Sequence, residues 1–209
     1  SLVGSSGSGN KLNITMNSGS NLIRWNAPTG GSINLSSISS LSSSIANVTV
    51  TGSNYNTLSI NKGELVIDEN VALTGTGNAY NGVEMSQSKV TLASGYNITG
   101  ALDGQIGIAQ INPGTLSDVS ITNNGTITLS GKKSTGLALD HGYITNTGTI
   151  EVTNPGITGE GSLGIFSAND TVTVNNGAIN VSGIESVGIY GANDFVAGTP
   201  ASYGTRKID

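Results

Sequence analysis

The sequence predicts an all-β protein, a right-handed parallel β-helix (a solenoid) of about eight three-strand coils. Short segments rich in β-branched residues recur at a nearly constant spacing, and turns of glycine and asparagine separate them without any helical stretch. The 209 residues include 31 glycines, no cysteine and only 4% aromatic residues. A core of this composition has to be built from aliphatic side chains in narrow, regular layers, which strands supply better than helices.

The first strand of each repeat follows the pattern Asn/Thr-Gly-x-Ile-x-Val/Leu. It occurs at residues 124–131, 146–153 and 176–183. The two aliphatic residues are two positions apart, so they lie on the same face of a strand. We expect Gly125, Gly148 and Gly177 to provide positive φ at the turn. The asparagines at this corner should stack into side-chain ladders; they are Asn123, Asn124, Asn146, Asn175 and Asn176.

A second strand begins at Gly136, Gly164 or Gly188 in these units, and a third lies at residues 119–121, 143–145 and 172–174. The same glycine is found earlier at Gly82 and Gly107, so successive intervals are 25, 29, 28 and 24 residues. Three short strands per repeat, joined by turns, are typical of a parallel β-helix whose coils stack one strand spacing apart.

The repeats are less regular in residues 1–70 and regular in residues 71–209, and no linker separates the two parts. We therefore expect one continuous solenoid domain. The longer interval between Gly148 and Gly164 is explained by extra residues at 154–160, which should form a loop that projects from one corner.

The charge balance and the reactive residues exclude several classes of function. Eight Lys and Arg against 13 Asp and Glu give a net charge of −5, so a nucleic-acid partner is not expected. The sequence has no cysteine and only one histidine, His141. This composition argues against a zinc centre and excludes a catalytic histidine pair. We expect no cofactor, no metal ion and no catalytic residue.

Two motifs remain open to a chemical interpretation. Gly159-x-Gly161-x-x-Gly164 matches the dinucleotide fingerprint, but a strand and not a helix follows it, so we reject that function.

Four aspartates, Asp118, Asp140, Asp170 and Asp194, should lie near one corner of successive coils. Aspartates form tight turns there; the alternatives are a calcium ladder or a carboxylate cluster of a carbohydrate-cleaving enzyme.

The string Asn-x-Gly-x-Ile-x-Val-x-Gly-x-x-Ser-x-Gly-Ile-Tyr, seen at residues 175–190 and again at 124–138, resembles the repeats of passenger regions in large type V autotransporter adhesins, particularly the fusobacterial ones. The resemblance extends over residues 71–196. It implies a surface-exposed stalk or head, exported through an outer-membrane β-barrel that lies elsewhere in the protein. It also implies attachment to a protein or glycan on a host cell or another bacterium.

We expect such an adhesin to make contact first through the 154–160 loop, with Asn154, Pro155, Ile157, Thr158 and Glu160, and second through the turn at Lys132 and Lys133. Two alternatives remain: a polysaccharide lyase or glycoside hydrolase on the same fold, and a purely structural stalk. An enzyme would require two or three acids, or an acid with Arg or Lys, on one face.

Overall fold

A computed structural model describes residues 12–16, 21–26, 30–36, 46–50, 56–73, 81–110, 119–153, 161–192 and 207–208. These residues form strands joined by turns. In chain order the strands are β1 (Leu12–Met16), β2 (Asn21–Asn26), β3 (Ser32–Asn34), β4 (Ala46–Val50), β5 (Asn56–Ile67), β6 (Val71–Leu73), β7 (Asn81–Leu92), β8 (Asn97–Gly100), β9 (Ile106–Gln110), β10 (Ser120–Asn123), β11 (Thr126–Leu129), β12 (Thr135–Asn146), β13 (Thr149–Thr153), β14 (Leu163–Asn175), β15 (Ala178–Ser182), β16 (Val187–Ala192) and β17 (Lys207–Ile208).

The strands form parallel sheets that wind into a β-solenoid. A ten-stranded sheet has the order β16-β14-β12-β10-β7-β5-β2, with β17, β3 and β9 beside it, and a five-stranded sheet has the order β15-β13-β11-β8-β6. Strands β1 and β4 pair with each other, also in parallel. No described helix has the length and apolar composition needed to cross a membrane.

The five strands of the smaller sheet are related by four turns of the solenoid. Its equivalent positions are Val71, Ile98, Ile127, Ile150 and Ile179. The all-β solenoid predicted from the repeats is therefore confirmed. The described residues show about four turns, so the expected eight coils are not confirmed.

In four coils the second and third strands expected from the repeat are joined into one long strand, whereas β9 and β10 are separate strands. β5, β7 and β12 have 12 residues each and β14 has 13. Each of them bends at a non-glycine residue of positive φ: Lys62 (φ 58°), Gln87 (49°), His141 (62°) and Asn169 (46°). In β5 and β12 a glycine of positive φ follows directly, Gly63 (92°) and Gly142 (135°). The bend turns the chain around a corner, and pairing resumes after it, as between β12 and β14.

The core is a set of aliphatic columns that run along the solenoid. Ile127, Leu129, Ile150 and Val152 of the smaller sheet are 0% exposed, as are Leu137, Leu139 and Ile144 of the larger sheet. Burial of each such side chain contributes roughly 1.5–3 kcal/mol to folding. Alternating strand residues face outward, so polar residues such as Thr126 and Thr128 stay partly exposed.

The corner between β12 and β13 contains the expected asparagine ladder. Nδ2 of Asn123 donates to Oδ1 of Asn146 at 2.7 Å, and Nδ2 of Asn146 donates to Oδ1 of Asn175 at 2.7 Å. The neighbouring Asn124 and Asn176 are not members of this ladder. Oδ1 of Asn124 accepts a hydrogen bond from Thr147 Oγ1 at 2.7 Å. Asn176 is exposed, and its backbone N–H donates to the carbonyl oxygen of Asn146.

Gly125, Gly148 and Gly177 lie on this corner, but the expectation that they have positive φ is wrong, because none of them lies in the left-handed region. Glycine is required here because there is no room for a Cβ atom. A Cβ at Gly148 would collide with the carbonyl oxygen of Gly125 one coil below, and a Cβ at Gly177 would collide with that of Gly148. The glycines stack because the coils approach each other too closely for a side chain.

A second glycine column lies near the start of the long strands. A Cβ on Gly136 would lie 2.5 Å from Cγ2 of Ile150 and 2.6 Å from the carbonyl oxygen of Gly164. Gly82, Gly107 and Gly164 are similarly confined by the carbonyl of the next glycine along the column. The repeated glycine therefore makes room for the repeated isoleucine across the core.

Candidate interaction surface

The Lys132–Lys133 turn forms a corner of the solenoid that faces solvent. Lys133 is exposed and left-handed (φ 55°), at a position that Gly104 (φ 70°) and Glu185 (φ 60°) occupy in other coils. The backbone N–H of Lys132 donates to Asp103 Oδ1 at 2.9 Å, and Gly104 N donates to Lys132 O at 2.7 Å. The backbone of this turn is held by the coil below, so its orientation is set by the stack.

A column of buried serines supports the same corner from inside. The backbone N–H of Ser134 donates to Ser162 Oγ at 3.2 Å, and that of Ser162 donates to Ser186 Oγ at 3.1 Å. Ser134 and Ser162 are both 0% exposed. In the sequence this serine is only one position of the repeat pattern; in the structure it links successive coils.

The 154–160 loop, with Asn154, Pro155, Ile157, Thr158 and Glu160, lies outside the described residues. Its two flanks are described: Thr153 ends β13, and Gly161 precedes β14. Leu163 N donates to Ser134 O at 2.9 Å, and Thr135 pairs with Leu163. Gly161, the residue that follows the loop, therefore lies one coil above Lys133, so the described end of the loop is at the same corner as the Lys132–Lys133 turn.

His141 occupies a different corner, where three polar side chains surround it. Its Nδ1 lies 2.7 Å from Oδ1 of Asp140, and its Nε2 lies 3.8 Å from Oδ2 of Asp170. Oδ1 of Asp140 also accepts a 2.6 Å hydrogen bond from Nδ2 of Asn169. The sequence indicated a turn here, but it did not show that acids of neighbouring coils flank the histidine.

The predicted column of aspartates is only partly described. Asp140 and Asp170 lie at one corner but are not equivalent positions. Asp140 pairs with Ala168, which precedes the left-handed Asn169, whereas Asp170 follows Asn169. Asp118 and Asp194 are outside the described residues. Within the described ranges, no three histidine or acidic side chains converge in a metal-binding arrangement.

The remaining charged groups are spread over several coils. Nζ of Lys89 lies 3.3 Å from Oε1 of Glu64 on the next coil, and both side chains are about half exposed. Such surface pairs contribute little to stability. Exposed apolar side chains are found mainly on the last described coil, where Ile184 is 52%, Val187 38% and Tyr190 47% exposed. Tyr190 stacks on Phe166 with ring centroids 5.9 Å apart.

Asp68 connects the first described coils through its carboxylate. Ser36 donates its backbone N–H to Oδ1 at 2.8 Å and its hydroxyl to Oδ2 at 2.6 Å, and Asn34 Nδ2 donates to Oδ2 at 3.1 Å. Desolvation raises the pKa of Asp68, but the hydrogen bonds from Ser36 and Asn34 together outweigh it and hold the pKa below its ordinary value.

Comparison with known proteins adds no further assignment: no family model, no curated protein and no solved structure matches the chain.

Proposed function

We propose that this chain is an attachment module, a fragment of the surface-exposed passenger region of a type V autotransporter adhesin. Its partner is a protein or a glycan on a host cell or on another bacterium. In the complete protein the fragment is held at the cell surface by an outer-membrane β-barrel and is not itself embedded in the membrane.

The position of Gly161 beside the Lys132–Lys133 turn supports this proposal. Lys133 is exposed to solvent, and Gly161, which follows the predicted 154–160 loop, lies one coil above it. A rigid stack of coils presents such a corner without reorganisation, which favours binding. The charged groups that the structure describes are otherwise dispersed over the coils, an arrangement that suits recognition better than catalysis in an enclosed pocket.

The proposal includes the finer architecture expected from the sequence. The whole chain forms one right-handed solenoid of about eight three-strand coils, with less regular coils in residues 1–70. This rod acts as a spacer as well as a contact surface, since its length displays the corner away from the membrane.

A binding assay with a matched pair of lysine variants tests the first contact. Lys133 (φ 55°) and Lys62 (φ 58°) are both lysines in the left-handed conformation at corners, and asparagine tolerates this conformation. The purified protein is applied to bacterial and host cells and to a glycan array. Lys133→Asn should weaken binding severalfold, whereas Lys62→Asn should leave it unchanged. Equal effects of the two variants would show that the Lys132–Lys133 turn is not a contact site.

Alanine replacement of residues 155–160 tests the second contact. Binding should fall while thermal unfolding stays that of the parent protein, because none of the described strands includes these residues. If the parent protein binds and the replaced protein binds equally well, the loop is not the contact site. Absence of binding of the parent protein to every cell type and glycan would favour a purely structural stalk.

One observation favours an enzyme as the second candidate. Asp140, His141 and Asp170 meet at one corner, and paired acids are the groups that glycoside hydrolysis and polysaccharide elimination use. Incubation with acidic and neutral polysaccharides, followed by assays for new reducing ends and unsaturated products, tests this activity. Its loss in Asp140→Asn and Asp170→Asn, with Asp103→Asn active, would support the enzyme.

A further inference from the structure

The three central strands of the smaller sheet are paired on both sides. β8 lies between β6 and β11, β11 between β8 and β13, and β13 between β11 and β15. Their residues Ile98, Ile127 and Ile150 face the core and are 0% exposed. Because side chains alternate along a strand, the residues on either side of these isoleucines form a continuous outer face with a further coil above and below it.

Polar side chains form two columns on this outer face. The first column is Asn97, Thr126 and Thr149, and the second is Thr99, Thr128 and Glu151. Successive members of a column are one coil apart, about 4.8 Å, and the two columns are roughly 6.6 Å apart along the strands. All six side chains are exposed or partly exposed. The face therefore presents a regular grid of hydroxyl, amide and carboxylate groups.

The threonine hydroxyls of this grid are not used by the protein. In the part of the chain that the structure describes, the four threonine side chains make no hydrogen bond. The asparagine ladder at the adjoining corner differs, because an amide reaches from Asn123 to Asn146 across one coil at 2.7 Å. A hydroxyl on Cβ is too short to span the same spacing. Each threonine hydroxyl is therefore available to an external partner.

The charge of the face indicates a neutral partner. β8, β11 and β13 contain no Lys, Arg or aromatic residue, and Glu151 is their only charged residue. An acidic polymer would find no cation there and would be repelled by Glu151 and by the net charge of −5. Hydroxyl, amide and carboxylate groups instead match a molecule that donates and accepts many hydrogen bonds. A neutral carbohydrate has this chemistry in every sugar.

We propose that this face binds an extended, neutral, β-linked polysaccharide, which lies along the solenoid axis with one sugar over each coil. Such a chain advances by about one strand spacing per sugar, so successive sugars meet equivalent side chains. Each hydrogen bond contributes little net free energy in water, so recognition depends on several sugars bound in a row. The site rests on the proposed attachment function and specifies the partner as a glycan.

The rigidity of the face favours binding. Threonine is β-branched and therefore restricted at χ1, and each of the three strands is held by a neighbour on both sides. Few side-chain conformations are lost when a ligand is bound to such a surface, which reduces the entropic cost of association.

The face is continuous with the proposed contact corner. β11 ends at Leu129, shortly before the Lys132–Lys133 turn, and β13 ends at Thr153, directly before residues 154–160. A polymer on the smaller sheet therefore passes beside this turn, which supplies further contacts at the margin of the face.

A second column of threonines, on the outer face of the larger sheet, provides a comparison. Its members are Thr91, Thr122 and Thr145, which pair in register and are partly exposed. In the neighbouring column of that face, Tyr143 is 57% exposed, and Lys89 lies 3.3 Å from Glu64. These large and charged side chains interrupt the grid, so a straight neutral polymer is not expected to bind there.

Affinity electrophoresis in gels that contain hydroxyethyl cellulose, glucomannan or xyloglucan, three soluble β-linked polysaccharides, tests the site. At least one of them should retard the parent protein. In solution, β-linked oligosaccharides should bind more tightly as they lengthen, up to about five sugars, one for each strand of the smaller sheet. Retardation by none of the three polysaccharides overturns the proposal.

Two matched triple variants locate the binding face. The first combines Thr126→Val, Thr128→Val and Thr149→Val, and the second combines Thr91→Val, Thr122→Val and Thr145→Val. Valine keeps the β-branched shape but removes the hydroxyl, so the first variant should bind at least about tenfold more weakly, whereas the second should bind like the parent. Equal weakening by the two variants would contradict the assignment to the smaller sheet.

Far-UV circular dichroism checks that both triple variants are folded, and the single variant Thr128→Val, in the middle of its column, should weaken binding severalfold where the triple variant does not fold. The cell-binding assay separates this inference from the attachment function. A parent protein that attaches to cells but is not retarded by any of the polysaccharides keeps the attachment function and loses this site. A parent protein that does neither loses both.

Discussion

Asn146 occupies the middle of the asparagine ladder and joins three successive coils: its Oδ1 accepts from Asn123, and its Nδ2 donates to Oδ1 of Asn175, each at 2.7 Å. Asn146 is 0% exposed. An amide provides a donor and an acceptor in one side chain, so the buried Asn146 satisfies both groups with the asparagines of the coils below and above it. The ladder begins at Asn123, whose Oδ1 has no partner among the described atoms and whose neighbour one coil below is Leu92.

Replacement of Asn146 by alanine should destabilise the protein by about 3 kcal/mol, because it deprives a buried donor of Asn123 and an acceptor of Asn175 of their partners. Asn176→Ala, at an exposed neighbouring position of the same corner, should cost less than about 0.5 kcal/mol. Urea denaturation measures both values. Similar losses for the two variants would show that the ladder contributes no specific stability.

Gly136→Ala should destabilise the solenoid by about 1–3 kcal/mol or prevent folding, since the added methyl group would overlap Ile150 Cγ2 and the Gly164 carbonyl. Gly188→Ala is the control in the same column, where the new methyl group meets only Ile179 at an ordinary contact distance. Its effect should be within about 0.5 kcal/mol. Thermal and urea unfolding distinguish them, and a tolerated Gly136→Ala would contradict the close packing described here.

At the corner of His141, the backbone conformation should determine which residues are accepted. The φ of 62° disfavours β-branched residues, whereas asparagine and glycine adopt it readily. His141→Val should therefore be less stable than His141→Asn by about 1–2 kcal/mol. The comparison of the two variants by urea denaturation excludes the loss of the imidazole itself as the cause, because both lack it.

The contribution of Asp68 to stability should depend on pH. Its pKa is lowered in the folded protein, so the stabilisation is present above the pKa of the unfolded chain and is lost as pH falls through the lower, folded pKa. The difference in unfolding free energy between the parent protein and Asp68→Asn should therefore shrink as the pH is lowered from neutral into the acidic range. A difference that is constant over this range would show that the carboxylate charge does not matter.

Much of the fold could be predicted because each repeat carries its own local signals. The Ile-x-Val and Ile-x-Leu pairs specify a strand face, and the periodic glycines specify the coil length, since both reflect a period of two and a fixed repeat. The left-handed conformation of Lys62 and Gln87 could not be predicted in this way. Neither residue type favours positive φ, and only the pairing on both sides of the corner imposes it.

Composition and periodicity by themselves determined that this chain is an all-β solenoid with an aliphatic interior and stacked asparagines at one corner, because these properties depend on residues close together in the chain. Tertiary structure decided what coil-to-coil packing controls. It showed that Gly148 is needed because a Cβ would not fit there and not for its φ, that His141 lies between Asp140 and Asp170, and that Gly161, the residue after the 154–160 loop, lies one coil above Lys133. Such relationships join residues one whole coil apart, and their geometry depends on the exact register with which the coils stack.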